Sequence, residues 1–436
     1  MVSDACREGM FARLVRRVPM KRSLAALAGC ALAVALAPSA NGAEQKFVRG
    51  EVVVKYADGA SVGERSVARQ AARAVGRADA ISGTNGARVV RVKRNVLAAV
   101  RRLERSDGVR YAEPNYVYHA QATPNDPRFG ELYGLNNTGQ TGGTPDADID
   151  APEGWDVLGL SAFPGAGGAK VGIVDTGILQ SHPEFAGGRI ANCGGVNNFG
   201  ISLIIIIIGA DPTIVDGKCN DDNGHGTHVA GTIAANANNG SGVAGVAFNS
   251  PLAICKGLNS GGSGTLEMIA NCITWLNQKG SKVISMSLGG SAGSAALQTA
   301  VRNASNNGSL LVAAAGNSGN SSLSYPAAYA EVVSVAATDH NDARASFSQF
   351  NSDVEVAAPG VNVLSTWNDG GYNTISGTSM ATPHAAAVAA LIAGSNPGGG
   401  PAAWRAELQA AVDDKGAPGR DPQFGFGRVN VSKVTP

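Results

Sequence analysis

The chain has 436 residues, of which 44% are apolar and 58 are glycine, and its formal net charge is +1. This length supports a sizeable buried core and roughly two or three domains. The near-zero charge hides a basic segment, residues 44–120 (15 Lys+Arg against 8 Asp+Glu), and an acidic one, residues 121–436 (14 against 24). The basic segment has no interleaved aromatic residues and no nucleic-acid-binding motif. We therefore exclude nucleic acid as its partner and expect it to attract the acidic part of the same chain.

The first 43 residues have the pattern of an export signal. An apolar run over residues 23–37 follows four basic residues, Arg16, Arg17, Lys21 and Arg22. The run is shorter than the roughly 20 residues of a membrane span, and the small residues of "PSANGA" predict cleavage after Ala43. A start at Met20 and lipid attachment at Cys30 in "LAGC" stay open as alternatives. We expect a secreted protein without a membrane span.

Four cysteines remain after the predicted signal: Cys193, Cys219, Cys255 and Cys272. In an exported chain they are expected to form disulfides, and four cysteines allow three pairings. The simplest pairing joins sequence neighbours, Cys193 with Cys219 and Cys255 with Cys272. Buried free thiols are the alternative.

Residues 48–119 alternate in the order strand, helix, strand, helix, strand. The first helix is predicted over "ERSVARQAARAV", residues 64–75, with arginines on its outer face. This order within a short segment predicts a small α+β unit, in which two helices cover one sheet.

A linker rich in Pro, Gly and Asn follows, and the pattern changes from residue 168 onward. Continuous apolar runs such as "KVGIVD" and "SLLVAAAG" alternate with helical stretches. Strands that are apolar on both faces predict a parallel sheet covered by helices on both sides. One segment, residues 200–217, contains five consecutive isoleucines and is either a buried strand or an artefact of the sequence. We assign it no function.

Three residues at the edges of these elements could perform acyl transfer, which needs a hydroxyl, an imidazole and a carboxylate. Asp175 ends the strand "VGIVD", His225 begins the helix "HGTHVAGT", and Ser379 lies at the head of an Ala-rich helix. Each of them alone also has an ordinary structural explanation. The pair His225 and His228 is the alternative of a zinc site, but no third and fourth ligand is recognisable.

The blocks "VDTG", "HGTHVAG" and "GTSMATPH" occur in the order Asp, His, Ser, and "AAAGNSG" lies between the last two. This set resembles the subtilisin-like serine proteases (subtilases) over residues 121–436. The resemblance implies a secreted endopeptidase in which Ser379 is the nucleophile, His225 the base, Asp175 its partner and Asn317 the oxyanion donor. His228 is then a structural neighbour. A non-catalytic binding protein on the same scaffold would require the loss of one of these four residues.

The resemblance also implies a substrate cleft. Residues 261–264 and 287–290 look like the two segments that bind substrate as an added β-strand, a mode that relies on main-chain hydrogen bonds. The expected contact residues are Gly262, Ser263, Gly264, Ser287, Leu288, Gly289, Ala314, Ala315, Gly316 and Ser324. Small neutral walls in the first pocket imply a preference for apolar or medium side chains.

A structural Ca²⁺ site is implied in the same way. Asp126 in "TPNDPRF" and Glu184 in "SHPEF" match ligand positions of the family, although Glu184 replaces the usual Asp. The loop "NANNGSGVAG" would add the side chain of Asn239. Three carbonyl groups complete the set, those of Asn236, Ser241 and Val243. Hard oxygen ligands suit Ca²⁺, whereas a solvated loop is the alternative.

The basic residues 44–120 resemble the family's propeptide, a small α+β, ferredoxin-like chaperone and inhibitor that is removed near residues 120–122. The expected organisation is a signal region (1–43), a propeptide (44–120) and a catalytic domain (121–436) with a subtilisin-like α/β fold. The expected partners are protein or peptide substrates and the propeptide itself. We expect the mature enzyme to be a monomer.

Overall fold

The computed structural model of the chain describes residues 47–93, 95–116, 123–163, 167–197 and 213–436. The predicted export signal, the predicted cleavage region at residues 120–122 and residues 200–212 of the isoleucine-rich segment lie outside these residues. Residues 214–216 of that segment form an edge strand.

The N-terminal region is a four-stranded antiparallel sheet with two helices. In chain order its elements are β1 (Phe47–Tyr56), α1 (Val62–Ala71), β2 (Ala74–Ala80), β3 (Arg88–Val92), α2 (Val96–Glu104) and β4 (Val109–Tyr116). The strand order is β2-β3-β1-β4. The predicted α+β unit is confirmed, but the helix predicted over residues 64–75 is too long. Arg73 adopts a left-handed conformation (φ 54°), which ends the helix, and the chain continues as the unpredicted strand β2.

The C-terminal region contains a ten-stranded sheet. Its strands are β5 (Val171–Asp175), β6 (Ile190–Val196), β7 (Ile214–Asp216), β8 (Leu252–Lys256), β9 (Val283–Met286), β10 (Leu310–Ala314), β11 (Val332–Thr338), β12 (Val354–Pro359), β15 (Val412–Asp413) and β16 (Arg428–Val429). The order is β15-β16-β12-β11-β10-β9-β5-β8-β6-β7. The eight inner strands run parallel, and only β7 and β15 at the edges are antiparallel. A separate hairpin is formed by β13 (Val363–Thr366) and β14 (Tyr372–Ile375).

Helices cover both faces of this sheet, as the continuous apolar runs predict. They are α3 (Ala151–Val157), α4 (His225–Ala234), α5 (Leu266–Gln278), α6 (Ala295–Asn306), α7 (Thr378–Ser395) and α8 (Gly400–Ala410). Ile173 of β5 belongs to one core cluster with Val229 of α4 and Val388 of α7. The next residue, Val174, belongs to a second cluster with Ile273 of α5. Because successive side chains of a strand point to opposite faces, α4 and α7 cover one face and α5 covers the other.

Both predicted disulfide pairings are present. Cys193 of β6 bonds to Cys219, which follows β7, and Cys255 of β8 bonds to Cys272 of α5. The second disulfide therefore attaches a helix directly to the sheet. Within the described residues, none of the helices combines the length and the apolar character of a membrane span.

The sheet and helices converge on one place. Asp175 is the last residue of β5, while α4 begins at His225 and α7 begins at Thr378, one residue before Ser379. Functional groups in parallel sheets collect at the carboxyl ends of strands, where the following helices begin. The three candidate residues therefore lie at the ends of three different elements.

Candidate active site

Asp175 and His225 are joined by a hydrogen bond. His225 Nδ1 donates to Asp175 Oδ1 over 2.8 Å, and the same oxygen accepts the amide of Thr176 over 2.7 Å. The Asp175 side chain is fully buried and that of His225 is 25% exposed. Because Nδ1 is engaged with the carboxylate, Nε2 is the nitrogen left for a reacting group. Burial lowers the pKa of His225, but the charge and hydrogen bond of Asp175, aided by Asp221, outweigh it and raise the pKa.

His228 lies one helical turn further on and is fully buried. Its Nε2 is within 3.0 Å of Val363 O and 3.1 Å of Asn373 O, so it donates to carbonyl groups of both strands of the hairpin. Burial lowers the pKa of His228 to about 3. The residue attaches α4 to the hairpin through its Nε2. This geometry matches the structural role predicted for His228.

Ser379 is fixed to the predicted substrate segment by a reciprocal pair of hydrogen bonds. Its hydroxyl donates to Ser287 O over 3.1 Å, and the hydroxyl of Ser287 donates to Ser379 O over 2.8 Å. Ser379 and His225 line the same cavity, which has a volume of about 480 Å³. The hydroxyl, the imidazole and the substrate segment therefore meet at one opening.

Asn317 is held against the start of α7. Its Oδ1 accepts both the backbone amide and the hydroxyl of Thr378, each over 2.8 Å. The side-chain oxygen is therefore bonded to the first residue of the helix. The side-chain amide nitrogen remains available to a group in the cavity that Asn317 and Ser379 both line. The first amides of a helix lack intrahelical acceptors, so the amide of Ser379 is a second donor at this position.

The two predicted substrate segments both line the 480 Å³ cavity. The predicted residues that line this cavity are Gly262, Ser263, Gly264, Ser287, Leu288 and Gly289. The sequence analysis missed the apolar part of its lining: Leu258, Leu266, Ile269, Leu297 and Tyr325. The sequence offered one signal, because Leu266 lies two residues after the Gly-rich segment 261–264 that was predicted to bind substrate.

A neighbouring cavity of about 340 Å³ contains Ala314, Gly316 and Ser324, as predicted. Ala315 does not line it and packs instead into a small core cluster with Ala336. Because successive residues of an extended chain point to opposite sides, Ala314 and Ala315 cannot both face the cavity. The lining contains no acidic side chain among the described residues.

Gln349 is a further residue of this cavity that the sequence analysis missed. It is 5% exposed, its amide nitrogen donates to Ser322 O over 2.6 Å, and its backbone amide donates to Gly316 O over 2.9 Å. Gly316 has a positive φ of 109°, and a Cβ there would collide with the Gln349 side chain. The wall of the cavity therefore requires glycine at this position.

Two buried carboxylates mark the predicted calcium site. Asp126 is 4% exposed and accepts the amides of Asn238 (2.7 Å) and Asn239 (3.1 Å). Glu184 is fully buried and accepts from Val243 N (3.0 Å), Asn239 Nδ2 (2.9 Å) and the hydroxyl of Tyr372 (2.8 Å). Burial raises the pKa of both carboxyl groups, and the charge of Asp126 raises that of Glu184 further.

The remaining predicted ligands lie in the same loop. Ser241 N donates to Asn239 Oδ1 over 2.7 Å, and Asn236 N donates to the backbone oxygen of Glu184 over 2.9 Å. Across the ranges that the structure describes, no ion pair joins Asp126 or Glu184 to Lys, Arg or His. Two buried carboxylates without a basic partner fit a divalent cation. In this structure N–H and O–H donors contact them instead, and the Asn239 side chain turns Nδ2 rather than Oδ1 to Glu184.

The structure also shows an acidic cluster that the sequence analysis missed. One carboxylate oxygen each of Asp146, Asp148 and Asp150 lies within 4.8 Å of the others. Burial raises the pKa of Asp148 to about 7. The buried guanidinium of Arg428 partly compensates this cluster, because its charge lowers the pKa of Asp148 and its Nη1 donates to Asp146 O over 3.0 Å.

Comparisons with known proteins identify the family of this chain. The subtilase family description matches residues 166–427, and the fervidolysin N-terminal prodomain description matches residues 34–115. Thermitase of Thermoactinomyces vulgaris is 41% identical over 313 residues, which cover 72% of this chain and 99% of that protein. A thermophilic serine proteinase of Bacillus sp. (strain AK1) is 36% identical over 388 residues, 88% of this chain and 86% of that protein.

A solved structure, that of sphericase, superposes with a TM-score of 0.55 at 35% identity, covering 64% of this chain and 97% of that chain. The chain therefore belongs to the subtilase family. It is a serine peptidase with an N-terminal propeptide, and the subtilisin-like fold predicted from the sequence is confirmed.

Proposed function

We propose that the protein is a secreted serine endopeptidase that acts through Asp175, His225 and Ser379. As Ser379 Oγ attacks the carbonyl carbon of the substrate, His225 Nε2 takes its proton and then passes it to the leaving amine. Water releases the acyl group from Ser379 in the second half of the reaction. The observation that carries this proposal is the 2.8 Å bond from His225 Nδ1 to Asp175 Oδ1, because it fixes the tautomer that makes Nε2 a base.

The oxyanion formed in this reaction would accept hydrogen bonds from Asn317 Nδ2 and the amide of Ser379. Support comes from the two bonds that commit Asn317 Oδ1 to Thr378, since they orient the amide before substrate arrives. Such pre-oriented donors stabilise charge that develops only in the transition state. We expect Asn317→Ala to lower kcat by about 10²–10³-fold, a magnitude taken from the equivalent donor of subtilisin.

Substrate would bind as an extended strand between residues 261–264 and 287–290. The side chain before the scissile bond would enter the 340 Å³ cavity that contains Ser324 and Gln349. Because this lining is neutral, apolar and medium side chains are favoured over charged ones. We expect broad specificity, since main-chain hydrogen bonds supply much of the affinity in this mode.

Residues 44–120 would act as an intramolecular chaperone and inhibitor that the enzyme removes by cutting near residues 120–122. Residues 1–43 would direct export, and residues 121–436 would form the mature enzyme. The charges support this arrangement, because residues 44–120 carry +7 and residues 121–436 carry −10. Opposite charges attract the two segments and promote their docking.

The intact mass of residues 44–436, produced in an oxidising host, tests both the triad and self-cleavage. The matched control is Ser379→Ala, which removes only one oxygen. We expect the parent to appear as a fragment that begins near residue 121, while the variant keeps its full mass. Identical masses in both would contradict self-cleavage by Ser379, and an active Ser379→Ala enzyme would contradict the triad.

A structural Ca²⁺ ion would be held by Asp126, Glu184, Asn239 and the carbonyls of residues 236, 241 and 243. It would supply positive charge to two buried carboxylates and so stabilise the loop that joins α4 to β8. In Ser379→Ala protein, which cannot digest itself, we expect EGTA to lower the Tm and Ca²⁺ to restore it. Glu184→Gln should remove most of this calcium response. An EGTA-insensitive Tm would contradict the site.

A further inference from the structure

Asp221 lies four residues before His225 and accepts five hydrogen bonds. Its Oδ1 accepts the amides of Asn223 (3.0 Å) and Gly224 (2.9 Å) and the hydroxyl of Thr176 (2.8 Å). Its Oδ2 accepts the amide (2.9 Å) and the hydroxyl (2.6 Å) of Thr227. The side chain is 4% exposed. A single carboxylate thus binds the residues on both sides of His225.

Thr176 links this carboxylate to Asp175. Its hydroxyl donates to Asp221 and accepts the amide of Gly226 over 2.8 Å, while its own amide donates to Asp175 Oδ1 over 2.7 Å. Gly224 and Gly226 flank His225 in the sequence. The amide of Gly224 donates to Asp221, and the amide of Gly226 donates to Thr176. A short, buried path of hydrogen bonds connects the first turn of α4 to the strand that carries Asp175.

The segment that contains Asp221 is itself anchored at two other points. Cys219 is bonded to Cys193, and its carbonyl accepts the amide of Ile178 over 2.7 Å. Asp222 accepts from the buried Nζ of Lys256 over 2.6 Å. These contacts restrict the movement of the Asp221 carboxylate, so it can hold the first turn of α4 in a fixed position.

We propose that Asp221 is a positioning residue for acyl transfer, which holds the first turn of α4 against Thr176 and thereby keeps the His225 imidazole on Asp175 before substrate binds. This inference rests on the proposed function of the triad and names a residue outside it. Its physical basis is orientation, since small displacements of a catalytic group can cost large factors in rate.

The charge of Asp221 gives this role a measurable signature. The charged or titratable groups around His225 are Asp175 from β5, Asp221 from the preceding loop, His228 from α4 and the Lys256–Asp222 pair. Burial raises the pKa of Asp221, but its hydrogen bonds outweigh this and lower it, so the group is ionised. Its negative charge raises the pKa of His225.

The test is the pH dependence of kcat and kcat/KM on a chromogenic peptide, with enzyme concentration set by active-site titration so that misfolded molecules are not counted. Asp221→Asn keeps the shape of the side chain and removes its charge and part of its accepting capacity. We expect kcat/KM to fall by about tenfold or more and its acidic limb to move down by roughly half a pH unit or more. A variant that does not mature alone is processed with a trace of wild-type enzyme.

Two further variants complete the design. Thr176→Val removes the bridging hydroxyl but keeps the Asp221 charge, so kcat should fall by about tenfold with the acidic limb unmoved. Asp216→Asn removes a carboxylate whose side chain is 70% exposed and pairs with Lys279 across 3.4 Å, so the rate and the profile should both stay unchanged. Thr176→Val also keeps the proposal testable if Asp221→Asn does not fold.

The proposal is overturned if Asp221→Asn and Thr176→Val both keep kcat within twofold of wild type. It is also overturned if Asp221→Asn loses rate with an unmoved acidic limb, because a purely structural cap would behave in that way. Ser379→Ala and His225→Ala are assayed in parallel. If either retains activity, the triad itself is wrong, and this outcome is separate from failure of the role of Asp221.

Discussion

The N-terminal region, residues 47–116, and the C-terminal region, residues 123–436, differ in how completely they bury their elements. In the C-terminal region the strands β5, β8, β9, β10, β11 and β12 are buried at every residue. In the N-terminal region α1 buries only Ala68, and Val62 and Val67 on the same helix are 84% and 64% exposed. A sheet covered on both faces therefore contrasts with a small unit that has one modest core.

This difference has a thermodynamic consequence. A unit of about 70 residues with one small core rarely has more than about 3–5 kcal/mol of stability, whereas a larger domain buries a greater share of its surface. The C-terminal region also contains both disulfides. For a propeptide that is removed and then destroyed, low intrinsic stability is an advantage, because transient opening exposes it to proteolysis. The contrast thus supports the maturation that we propose.

The largest expected effect comes from the same substitution made in each region. Leu103 of α2 and Leu408 of α8 are both fully buried, and each Leu→Ala change should cost about 2–5 kcal/mol. In the Ser379→Ala precursor, we expect Leu103→Ala to abolish hydrogen-exchange protection across residues 47–116. Leu408→Ala should leave the C-terminal region folded, with a Tm lower by about 5–10 °C.

Selective loss of protection in the small region is the decisive outcome of that experiment. If Leu103→Ala and Leu408→Ala cause equal loss of protection in their own regions, the two regions do not differ in stability as their burial suggests. The comparison would then fail at its first step.

The sequence predicted most of the fold because continuous apolar strands between helices allow few arrangements. It did not predict β2, because "AVGRADA" is neither strongly apolar nor alternating, and its strand conformation depends on pairing with β3. The isoleucine-rich segment could not be interpreted from its composition either. The structure describes only residues 213–217 of it, of which residues 214–216 form an edge strand.

The candidate site was predictable to a different degree. Sequence motifs indicated the residues that would perform the chemistry. They did not indicate the residues that hold those side chains in place through hydrogen bonds from other segments of the chain. Asp221 is conspicuous only once its carboxylate is seen to accept from Thr176, which lies 45 positions away in the sequence. Gln349 and Tyr372 were missed for the same reason, since their partners Gly316 and Glu184 are distant in the chain.

The second prediction concerns the pH dependence of stability. A buried histidine can contribute to it in the C-terminal region but not in residues 47–116, which contain no histidine. His384 of α7 is 1% exposed, and burial lowers its pKa to about 4. As the pH falls below about 6.5, the unfolded chain binds this proton first, so stability is present above that pH and is lost towards pH 4. For His384 the loss amounts to about 2 kcal/mol at pH 5.

The measurement is the free energy of unfolding at pH 7 and pH 5 for the Ser379→Ala protein and for the same protein with His384→Gln. Gln keeps a donor for Met380 O, which His384 Nδ1 contacts at 2.8 Å, and it does not titrate. Between pH 7 and pH 5 we expect the free energy of unfolding to fall by about 2 kcal/mol less in the double variant than in the Ser379→Ala protein. Asp148 acts in the opposite direction, since its pKa is raised to about 7, but its contribution is common to both proteins and cancels in the comparison. Equal pH dependence would refute the assignment to His384.

The smallest expected effect comes from helix caps. Asn95 accepts the amide of Ala98 over 3.1 Å at the start of α2, and Thr265 accepts that of Met268 over 3.3 Å at the start of α5. Replacing either by Ala should cost about 1 kcal/mol. In the small region this is about a fifth or more of the total stability, so Asn95→Ala should raise the protease sensitivity of residues 47–116 about fivefold, while Thr265→Ala leaves the C-terminal region resistant. A cap that matters equally in both regions would mean that the N-terminal region has a reserve of stability beyond its visible core, and its disposal after cleavage would then need another explanation.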